Sequence, residues 1–517
     1  MSSWTSGYVA DLGYTHGFYR ELTPALLGLV ALVRGQHSPD VGSALEYCEL
    51  GCGQGFSMNL LAAANPQVRF HATDFNPSQI AGARALAAEA GLTNATFYDT
   101  SFAVFADEAK LPEKFDVISL HGIYSWISAE MRAAIVDFIS RKLKVGGLVY
   151  ISYNCLPGWS AAAPMRHLMY LHGKAQGGPT GGRLQPALDF VEKMQKSGAA
   201  YFRANPGLDQ RFEKLKGQQR NYLAHEYFND AWDLFYHSDV VRDLDAAKLT
   251  FLGSAALLEQ VDAVNLTEDQ QQIMAGIADP VLRETVRDYM MNQQFRRDVF
   301  VKGPVPLTPR LAQEAWLNHR FALSTRRDDI ELKVKGALGE ATLQADVYGP
   351  LLDKLADGPK TVREMVADPA IANLGWARLQ QAFVVLAGAG HLQPCLPAKD
   401  DGKRARSTKA FNQAVMQRAR DNGDLQFLAS PVTGGGLTVA RFQQLFLLAL
   451  SEGKKQPEEW AEFVWQVLNG QGQRIIKEGK TLETPEENLA ELKVQASTFA
   501  EKQLPVLKSL QADGLHR

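Results

Sequence analysis

The sequence predicts an α/β protein that begins with a doubly wound, Rossmann-like domain and continues into helical and winged-helix-like domains. Between residues 44 and 159, apolar runs typical of buried strands alternate with stretches at helical spacing. The first of these runs leads directly into a glycine-rich loop, which opens a helix. Alternation of this kind specifies a parallel sheet with helices on both faces.

The glycine-rich loop spans residues 51–55. Gly51, Gly53 and Gly55 allow a tight turn without Cβ atoms, so the backbone can approach a ligand closely. The next strand ends at Asp74, nineteen positions after Gly55. A carboxylate at that strand end can accept hydrogen bonds from two ribose hydroxyls. The loop and the acid together predict a site for a nucleotide-type cofactor.

Two such cofactors fit a glycine loop. The NAD fingerprint needs GxGxxG and places a pyrophosphate on the helix N-terminus, whereas here the spacing is GxGxG and Phe56 follows Gly55. Glu49 precedes the loop, and a carboxylate there suits a cationic ligand better than a diphosphate. These features resemble motif I of the class I S-adenosylmethionine (SAM) methyltransferases, with Asp74 as the motif II acid. A chance glycine-rich turn in another α/β domain is the alternative.

The other elements of this domain follow in chain order. The apolar pattern predicts strands at 44–50, 68–73, 94–98, 114–120 and 148–153 and helices at 56–64, 78–90 and 129–142. The carboxyl ends of parallel strands meet at one edge of a sheet, so polar residues that follow the strands are site candidates. Beside the cofactor, we expect Phe75, Asn76, Asp99, Thr100 and Ser101. Asp99 in particular could bind the adenine amino group or could be a turn residue.

The chain divides into four predicted domains. These are a methyltransferase-type domain at 1–175 with an aromatic lead-in, a mostly helical domain at 176–325, a winged-helix-like domain at 326–400, and a helical C-terminal domain at 401–517. Residues 160–325 show no strand alternation, and 269–300 reads as helical. Residues 399–406 read as a basic, flexible stretch. The lead-in could cover the site or pack on the sheet through the aromatic residues Trp4, Tyr8, Tyr14, Phe18 and Tyr19.

Composition limits the class of function. The net charge of −3 provides no field that would recruit nucleic acid or an anionic membrane. The four cysteines form no CxxC pair, so we expect neither a zinc site nor a disulfide framework, and no other metal ligand set is visible. The N-terminus has no signal-peptide pattern, and the longest apolar run, 25–33, is too short to span a membrane. The sequence therefore predicts a cytoplasmic protein without membrane insertion.

Five stretches resemble one bacterial family, the methyltransferases that carry a methyltransferase regulatory domain, which include rickettsial protein lysine methyltransferases. The stretches are ELGCGQG at 49–55, HGIYSW at 121–126, SYNCLPGW at 152–159, HEYFN at 225–229 and FRRD at 295–298. The resemblance implies a SAM-dependent methyltransferase whose middle domain frames the substrate cleft. It also implies that the acceptor is a lysine side chain of a protein.

The implied reaction is an in-line displacement at the SAM methyl by a neutral amine. Lysine has a reference pKa of about 10.4, so the amine must first lose a proton. Tyr124, Trp126, Tyr153 and Asn154 are the candidates to wall and orient the amine. His121, beside the cofactor, could remove the proton or could only shape the end of the fourth strand.

Other functions remain open at this point. A nucleic-acid amino methyltransferase usually carries an Asp/Asn-Pro-Pro-aromatic motif after the fourth strand, where this chain has His121-Gly-Ile-Tyr124. The predicted winged-helix segment offers only Arg378, Gln380 and Gln381 for DNA readout, so nucleic acid is not an expected partner. A small-molecule or glycan methyltransferase and a SAM-sensing scaffold are the two remaining alternatives. A homodimer is compatible with each of them.

Overall fold

A computed structural model describes residues 15–515. The predicted lead-in residues Trp4, Tyr8 and Tyr14 lie outside the described residues. The chain is organised around a seven-stranded sheet in the order β3-β2-β1-β4-β5-β7-β6. Its strands are β1 (Glu46–Leu50), β2 (Arg69–Thr73), β3 (Ala95–Tyr98), β4 (Phe115–Leu120), β5 (Leu143–Asn154), β6 (Leu249–Ser254) and β7 (Phe295–Lys302).

The first five strands are parallel, and β7 runs antiparallel between β5 and β6. The chain reverses its direction of travel across the sheet at β1, which has β2 on one side and β4 on the other. Ligands of open α/β sheets bind at the carboxyl ends of the strands at such a switch point. The predicted doubly wound sheet is confirmed, with strand ends within a few residues of those expected from the pattern. β5 is longer than the strand predicted at 148–153, since it already begins at Leu143.

Helices cover both faces of the sheet. Up to residue 291 they are α1 (Pro24–Val33), α2 (Phe56–Ala64), α3 (Pro77–Glu89), α4 (Phe102–Phe105), α5 (Ala129–Lys142), α6 (Ala163–Gln176), α7 (Thr180–Lys196), α8 (Ala200–Ala204), α9 (Gly207–Lys216), α10 (Arg220–Phe228), α11 (His237–Asp245), α12 (Asp262–Asn265), α13 (Glu268–Ala275) and α14 (Pro280–Met291). Helices α1, α2 and α3 share one apolar core, and α5 and α11 share the core on the other face. Helices α6 to α10 close around a third core built on Trp159, Met165 and Phe212.

The prediction of helix across 269–300 is wrong at its C-terminal end, and the absence of strands from 160–325 is wrong as well. Residues 295–302 form β7 and 249–254 form β6, and both belong to the main sheet. The predicted helical domain therefore contributes two strands to the sheet that carries the glycine loop. The exact domain boundaries stay a prediction.

The next segment contains a small antiparallel sheet. It comprises strands β8 (Arg320–Leu323), β9 (Lys333–Gly336), β10 (Gly339–Thr342), β11 (Lys360–Thr361) and β12 (Leu392–Cys395) and helices α15 (Pro309–Asn318), α16 (Ala345–Ala356), α17 (Val362–Val366), α18 (Pro369–Ala372) and α19 (Trp376–Gly388). Strands β11, β8 and β12 form one sheet in that order. The predicted capping box is present, because Thr361 accepts a hydrogen bond from the Glu364 N–H and Glu364 accepts one from the Thr361 N–H.

The C-terminal segment packs on the helix that follows the glycine loop. It comprises α20 (Asp401–Arg418), β13 (Phe427–Ser430), β14 (Gly435–Thr438), α21 (Arg441–Ser451), α22 (Pro457–Gly470), β15 (Ile476–Lys477), β16 (Lys480–Thr481), α23 (Pro485–Thr498) and α24 (Leu504–Ser509). The expected flexible stretch at 399–406 is wrong, because most of it lies in α20. Arg404 there is buried and donates a hydrogen bond to the Pro431 carbonyl at 2.8 Å.

Every residue of α2 is buried, partly because the C-terminal segment covers it. The ring of Phe56 lies 6.0 Å from that of Phe411, and Asn65 donates a hydrogen bond to the Gly434 carbonyl at 2.7 Å. The C-terminal segment thus supports the loop that begins α2. Between residues 15 and 515, no helix has the length and apolarity required to cross a bilayer.

Candidate active site

The glycine loop follows β1 and adopts a conformation that requires glycine at three positions. Gly51, Gly53 and Gly55 have φ angles of 80°, 53° and 65°. A Cβ on Gly51 would overlap the side chain of Ile123, and a Cβ on Gly55 would lie 2.5 Å from the Cβ of Ala83. The spacing GxGxG therefore reflects both backbone conformation and close packing around the start of α2.

A cavity of about 430 Å³ opens beside this loop, at the carboxyl ends of β1, β2, β4 and β5. Seven of the residues predicted for the site line it: Glu49, Gly51, Gly53, Asp74, His121, Trp126 and Asn154. The sequence pattern predicted that these residues, from separate parts of the chain, meet at one edge of the sheet, and they do meet in this cavity.

Two buried carboxyl groups face the cavity from β1 and β2. Asp74 accepts hydrogen bonds from the Gly53 N–H at 3.0 Å and the Asn76 N–H at 2.9 Å. Burial raises the pKa of Asp74 to about 6 against the effect of those two bonds. Burial, together with the neighbouring Asp74, raises the pKa of Glu49 to about 8. Among residues 15–515, no group forms a hydrogen bond to Oε2 of Glu49.

His121 lies at the end of β4 between two tyrosines. Its Nδ1 is 2.9 Å from the hydroxyl of Tyr150, and the ring of Tyr19 stacks on the imidazole with 3.6 Å between ring centroids. Burial, with a contribution from the positive charge of Arg297, lowers the pKa of His121 to about 3. An imidazole with that pKa is a weak base, so the geometry supports the role in shaping the strand end and not the removal of a proton.

Two predicted wall residues, Tyr124 and Tyr153, do not line the cavity, and this part of the prediction is corrected. Both rings are buried in the apolar core that α5 and α11 share on one face of the sheet. The Tyr124 hydroxyl donates to Asp243 at 2.8 Å, and the Tyr153 hydroxyl donates to Asp298 at 2.7 Å. Their phenol groups are held by these acids because a buried hydroxyl needs a partner.

The remaining predicted cofactor residues lie at the same sheet edge but outside the lining of the cavity. These are Gly55, Phe75, Asn76, Asp99, Thr100 and Ser101. The Asp99 side chain is 53% exposed and lies 3.7 Å from Arg84, and the Thr100 hydroxyl donates to Glu108 at 2.7 Å. An adenine-binding role for this group stays a prediction.

Most of the other cavity residues were not predicted. The lead-in contributes Thr15, Gly17 and Tyr19; the glycine loop and the helices next to it contribute Cys52, Gln54, Phe56, Ser57 and Gln79; the loop after β4 contributes Gly122 and Ile123; the middle segment contributes Trp159, Arg211, Tyr222, His225, Glu226 and Asn229; and the region of β7 contributes Gln294, Phe295 and Arg297. Of the lead-in aromatic residues within the described range, Tyr19 lines the cavity and stacks on His121, whereas the ring of Phe18 lies 5.7 Å from that of Phe427. Two stretches of the family resemblance, 225–229 and 295–298, contained signals for some of these residues.

The lining suits a nucleotide-type cofactor with a positive charge. At Gly53 the space next to the backbone is open, because the nearest atom to a Cβ there would be Oε1 of Gln79 at 3.9 Å, and Glu49 has a buried oxygen without a partner in the described part of the chain. A buried carboxylate is destabilised until a cation is placed beside it. Within residues 15–515, no three His, Cys, Asp or Glu side chains come together in a way that could hold a metal ion.

Comparison with known proteins agrees with this geometry. The family described as "Methyltransferase domain" matches residues 42–192, and the family described as "Predicted methyltransferase regulatory domain" matches residues 219–302. The chain is 47% identical to the Synechocystis protein sll1526 over 508 residues, which is 98% of this chain and 99% of that protein. It is 26% identical to the Rickettsia prowazekii protein RP789 over 284 residues, which is 54% of this chain and 49% of that protein.

The fold also has a counterpart among solved structures. PKMT2 from Rickettsia typhi, in complex with AdoHcy, superposes with a TM-score of 0.70 at 18% identity, over 97% of this chain and 99% of that one. The match extends beyond the main sheet into the segments that follow β7, so the whole architecture is shared. The chain belongs to the SAM-dependent methyltransferases that carry a methyltransferase regulatory domain.

Proposed function

We propose that this methyltransferase transfers the methyl group of SAM to the side-chain amine of a lysine in a protein substrate. The main support for the cofactor is one buried oxygen of Glu49, which has no partner within residues 15–515 and lies beside a glycine loop where packing excludes a Cβ at Gly51 and Gly55. The acceptor half is supported by the resemblance to rickettsial protein lysine methyltransferases and by the shared architecture with PKMT2.

In this proposal the carboxyl groups hold the two polar ends of the cofactor. Glu49 pairs with its amino group, and Asp74, already fixed by two backbone N–H groups, accepts hydrogen bonds from the ribose hydroxyls. Bound SAM supplies a methyl group activated by a sulfonium. His121, Trp126 and Asn154 stand at the ends of β4 and β5, where they exclude water from the methyl group and align the amine.

The amine attacks as the neutral base, so an ammonium proton must leave before transfer. With a pKa of about 3, His121 is not suited to take it. The proton passes to bulk water before the amine is aligned with the methyl group, and alignment in a water-poor site then provides the main acceleration.

The test is transfer of tritiated methyl from SAM into protein of a cell lysate that contains candidate substrates. Label that stays on protein after denaturing electrophoresis and is recovered as methyl-lysine supports the proposal. Label recovered only in small molecules or in nuclease-sensitive material would overturn the lysine acceptor and favour the small-molecule or nucleic-acid alternatives. Binding of SAM without any transfer would favour a sensor.

AdoHcy, the demethylated form of the cofactor, should bind more tightly as the pH rises from 6.5 to 7.5. Glu49 in the free protein carries its proton up to a pKa of about 8, and a ligand ammonium favours the ionised form. Binding therefore releases a proton, and the affinity should rise by up to about tenfold per pH unit. The ligand's own amino group, with a reference pKa of about 7.7–8.0, stays largely charged over this range. Isothermal calorimetry at several pH values measures the slope.

The matched variant is Glu49→Gln, which keeps the shape of the side chain and removes its titration. It should bind AdoHcy more weakly at pH 7.5 and show a much flatter dependence on pH. Asp74, with a pKa of about 6, is present in both proteins and accounts for any slope that remains at the acidic end. Equal slopes in the two proteins would contradict the pairing of Glu49 with the cofactor ammonium.

A further inference from the structure

Helix α10, in the segment that matches the regulatory domain, forms one wall of the cavity. Tyr222 and Glu226 are four positions apart on this helix and therefore lie on the same face. Both line the cavity, together with Asn229 just beyond the helix. This wall comes from outside the five parallel strands, whose ends hold Glu49, Asp74 and His121. The cavity therefore has a cofactor wall and a second wall whose ligand is not yet assigned.

Glu226 is the acidic side chain of this second wall. It is half-buried, and no hydrogen bond or ion pair engages its carboxyl group within residues 15–515. Burial raises its pKa to about 8, although the positive charges of Arg166 and Arg211 act in the opposite direction. A carboxyl group in this position gains more from a cationic ligand than a solvated surface acid does.

The two nearby arginines are engaged elsewhere. Arg166 donates a hydrogen bond to the Asn229 carbonyl at 2.8 Å and lies over the ring of Trp232 at 4.7 Å. Arg211 lies over the ring of Trp159 at 4.0 Å and donates to Gln294 at 2.9 Å. Neither guanidinium forms an ion pair with the Glu226 carboxylate in the described part of the chain. The carboxylate is left for a group that enters the cavity.

Aromatic rings line the cavity as well. Trp126, Trp159 and Tyr222 line the same cavity as Glu226. Aromatic faces attract alkylammonium groups, and they pack against the methylene groups of a lysine side chain. An unpaired carboxylate combined with aromatic rings is a receptor for a cation on an alkyl chain.

We infer that Glu226 is the residue that binds the ammonium group of the acceptor, on the α10 side of the cavity. The inference rests on the proposed amine acceptor and adds the residue that receives it. The regulatory-domain segment then supplies half of the active site, because the charge that selects the substrate lies on α10 while the cofactor lies on the sheet.

The probe is n-butylammonium, which has the alkyl chain and charge of a lysine side chain, with n-butanol as the neutral analogue. Binding to the full-length protein is followed by tryptophan fluorescence, with and without AdoHcy. The wild-type protein should bind the cation saturably and bind the alcohol much more weakly. In Glu226→Gln, the dissociation constant for the cation should rise by about tenfold or more, since the charged partner is lost. The variant's affinity for AdoHcy should stay within about twofold of wild type.

Glu213→Gln is the matched control, because Glu213 lies on neighbouring α9 with a side chain that is 65% exposed and pairs with Lys216. It should bind n-butylammonium like the wild type. Equal affinities in wild type and Glu226→Gln would overturn the inference, and so would the lack of saturable binding by the wild type. Failure of the proposed function has a different signature, because methyl transfer to protein or AdoHcy binding would then be missing from the wild-type protein itself.

Discussion

Replacing Asp298 with alanine should lower the free energy of unfolding by about 3–5 kcal/mol, because the change leaves a buried arginine without its main counter-ion. Asp298 has no exposed surface and lies on β7. Its carboxylate accepts hydrogen bonds from the Tyr153 hydroxyl at 2.7 Å and from Nε of Arg296 at 2.9 Å, and it lies 3.2 Å from Nδ1 of His237. Urea denaturation, read as a shift in midpoint, measures the loss.

The surface acid Asp137 provides the control. Its side chain is 61% exposed and pairs with Arg141 at 2.8 Å, so Asp137→Ala should cost less than about 1 kcal/mol. A cost at Asp298 no greater than at Asp137 would contradict the structural role of the buried pair.

The effect of Asp298 should also depend on pH. Burial alone would raise the pKa of this carboxyl group, but Arg296 beside it and the hydrogen bonds from His237 and Tyr153 hold the pKa below its usual value. The stabilisation is therefore present above the unfolded-state value of about 3.9 and disappears as the pH falls through the lower, folded-state value. The difference between wild type and Asp298→Ala should shrink in strong acid.

The same buried ion pair explains why β7 could not be predicted from the sequence. Strands are recognised by alternating apolar and polar residues, and in β7 two of the buried positions are occupied by Arg296 and Asp298. Because these two side chains are charged, the sequence pattern at the buried positions resembles that of a solvent-exposed strand face. The pairing that permits this burial involves Asp288 from α14, which meets Arg296 only once the chain folds back on itself, and Tyr153 from β5, which lies 145 positions from Asp298. By contrast, β1 to β5 carry ordinary apolar runs, and their parallel arrangement followed from the alternation with helices.

The cavity shows the same division between local and long-range information. The cofactor wall could be predicted because Glu49, the glycines and Asp74 have fixed spacings along one β-loop-α-β unit. Tyr124 lies in a short 3-10 helix after β4, and Tyr153 lies near the end of β5. Both were misplaced because a side chain at these places can point toward either face of the sheet, and the acids that fix their hydroxyl groups lie 119 and 145 positions away. The second wall depends on how α10 docks against the sheet, and no local pattern in residues 220–228 specifies that docking.

AdoHcy binding should fall by roughly 100- to 10,000-fold in Asp74→Ala. In the proposed site the Asp74 carboxylate accepts two ribose hydroxyl groups, and hydrogen bonds to a charged group contribute about 1.5–3 kcal/mol each. The substitution also removes the acceptor that holds the Gly53 N–H at 3.0 Å, so the glycine loop loses part of its support. Isothermal calorimetry measures the affinity, and circular dichroism shows whether the fold is retained.

The control for this experiment is Asp107→Ala. The Asp107 side chain is 74% exposed and lies 3.8 Å from Arg141, away from the residues that line the cavity. It should bind AdoHcy within about twofold of wild type, and a folded Asp74→Ala protein that did the same would contradict the ribose assignment.

Asp99→Ala then tests the adenine side, because Asp99 is half exposed and has only Arg84 nearby at 3.7 Å among the ion pairs of residues 15–515. A loss of AdoHcy affinity of about tenfold in Asp99→Ala would show that the end of β3 belongs to the cofactor site, because one hydrogen bond to a charged group contributes about 1.5 kcal/mol or more. An unchanged affinity would show that Asp99 is only a turn residue.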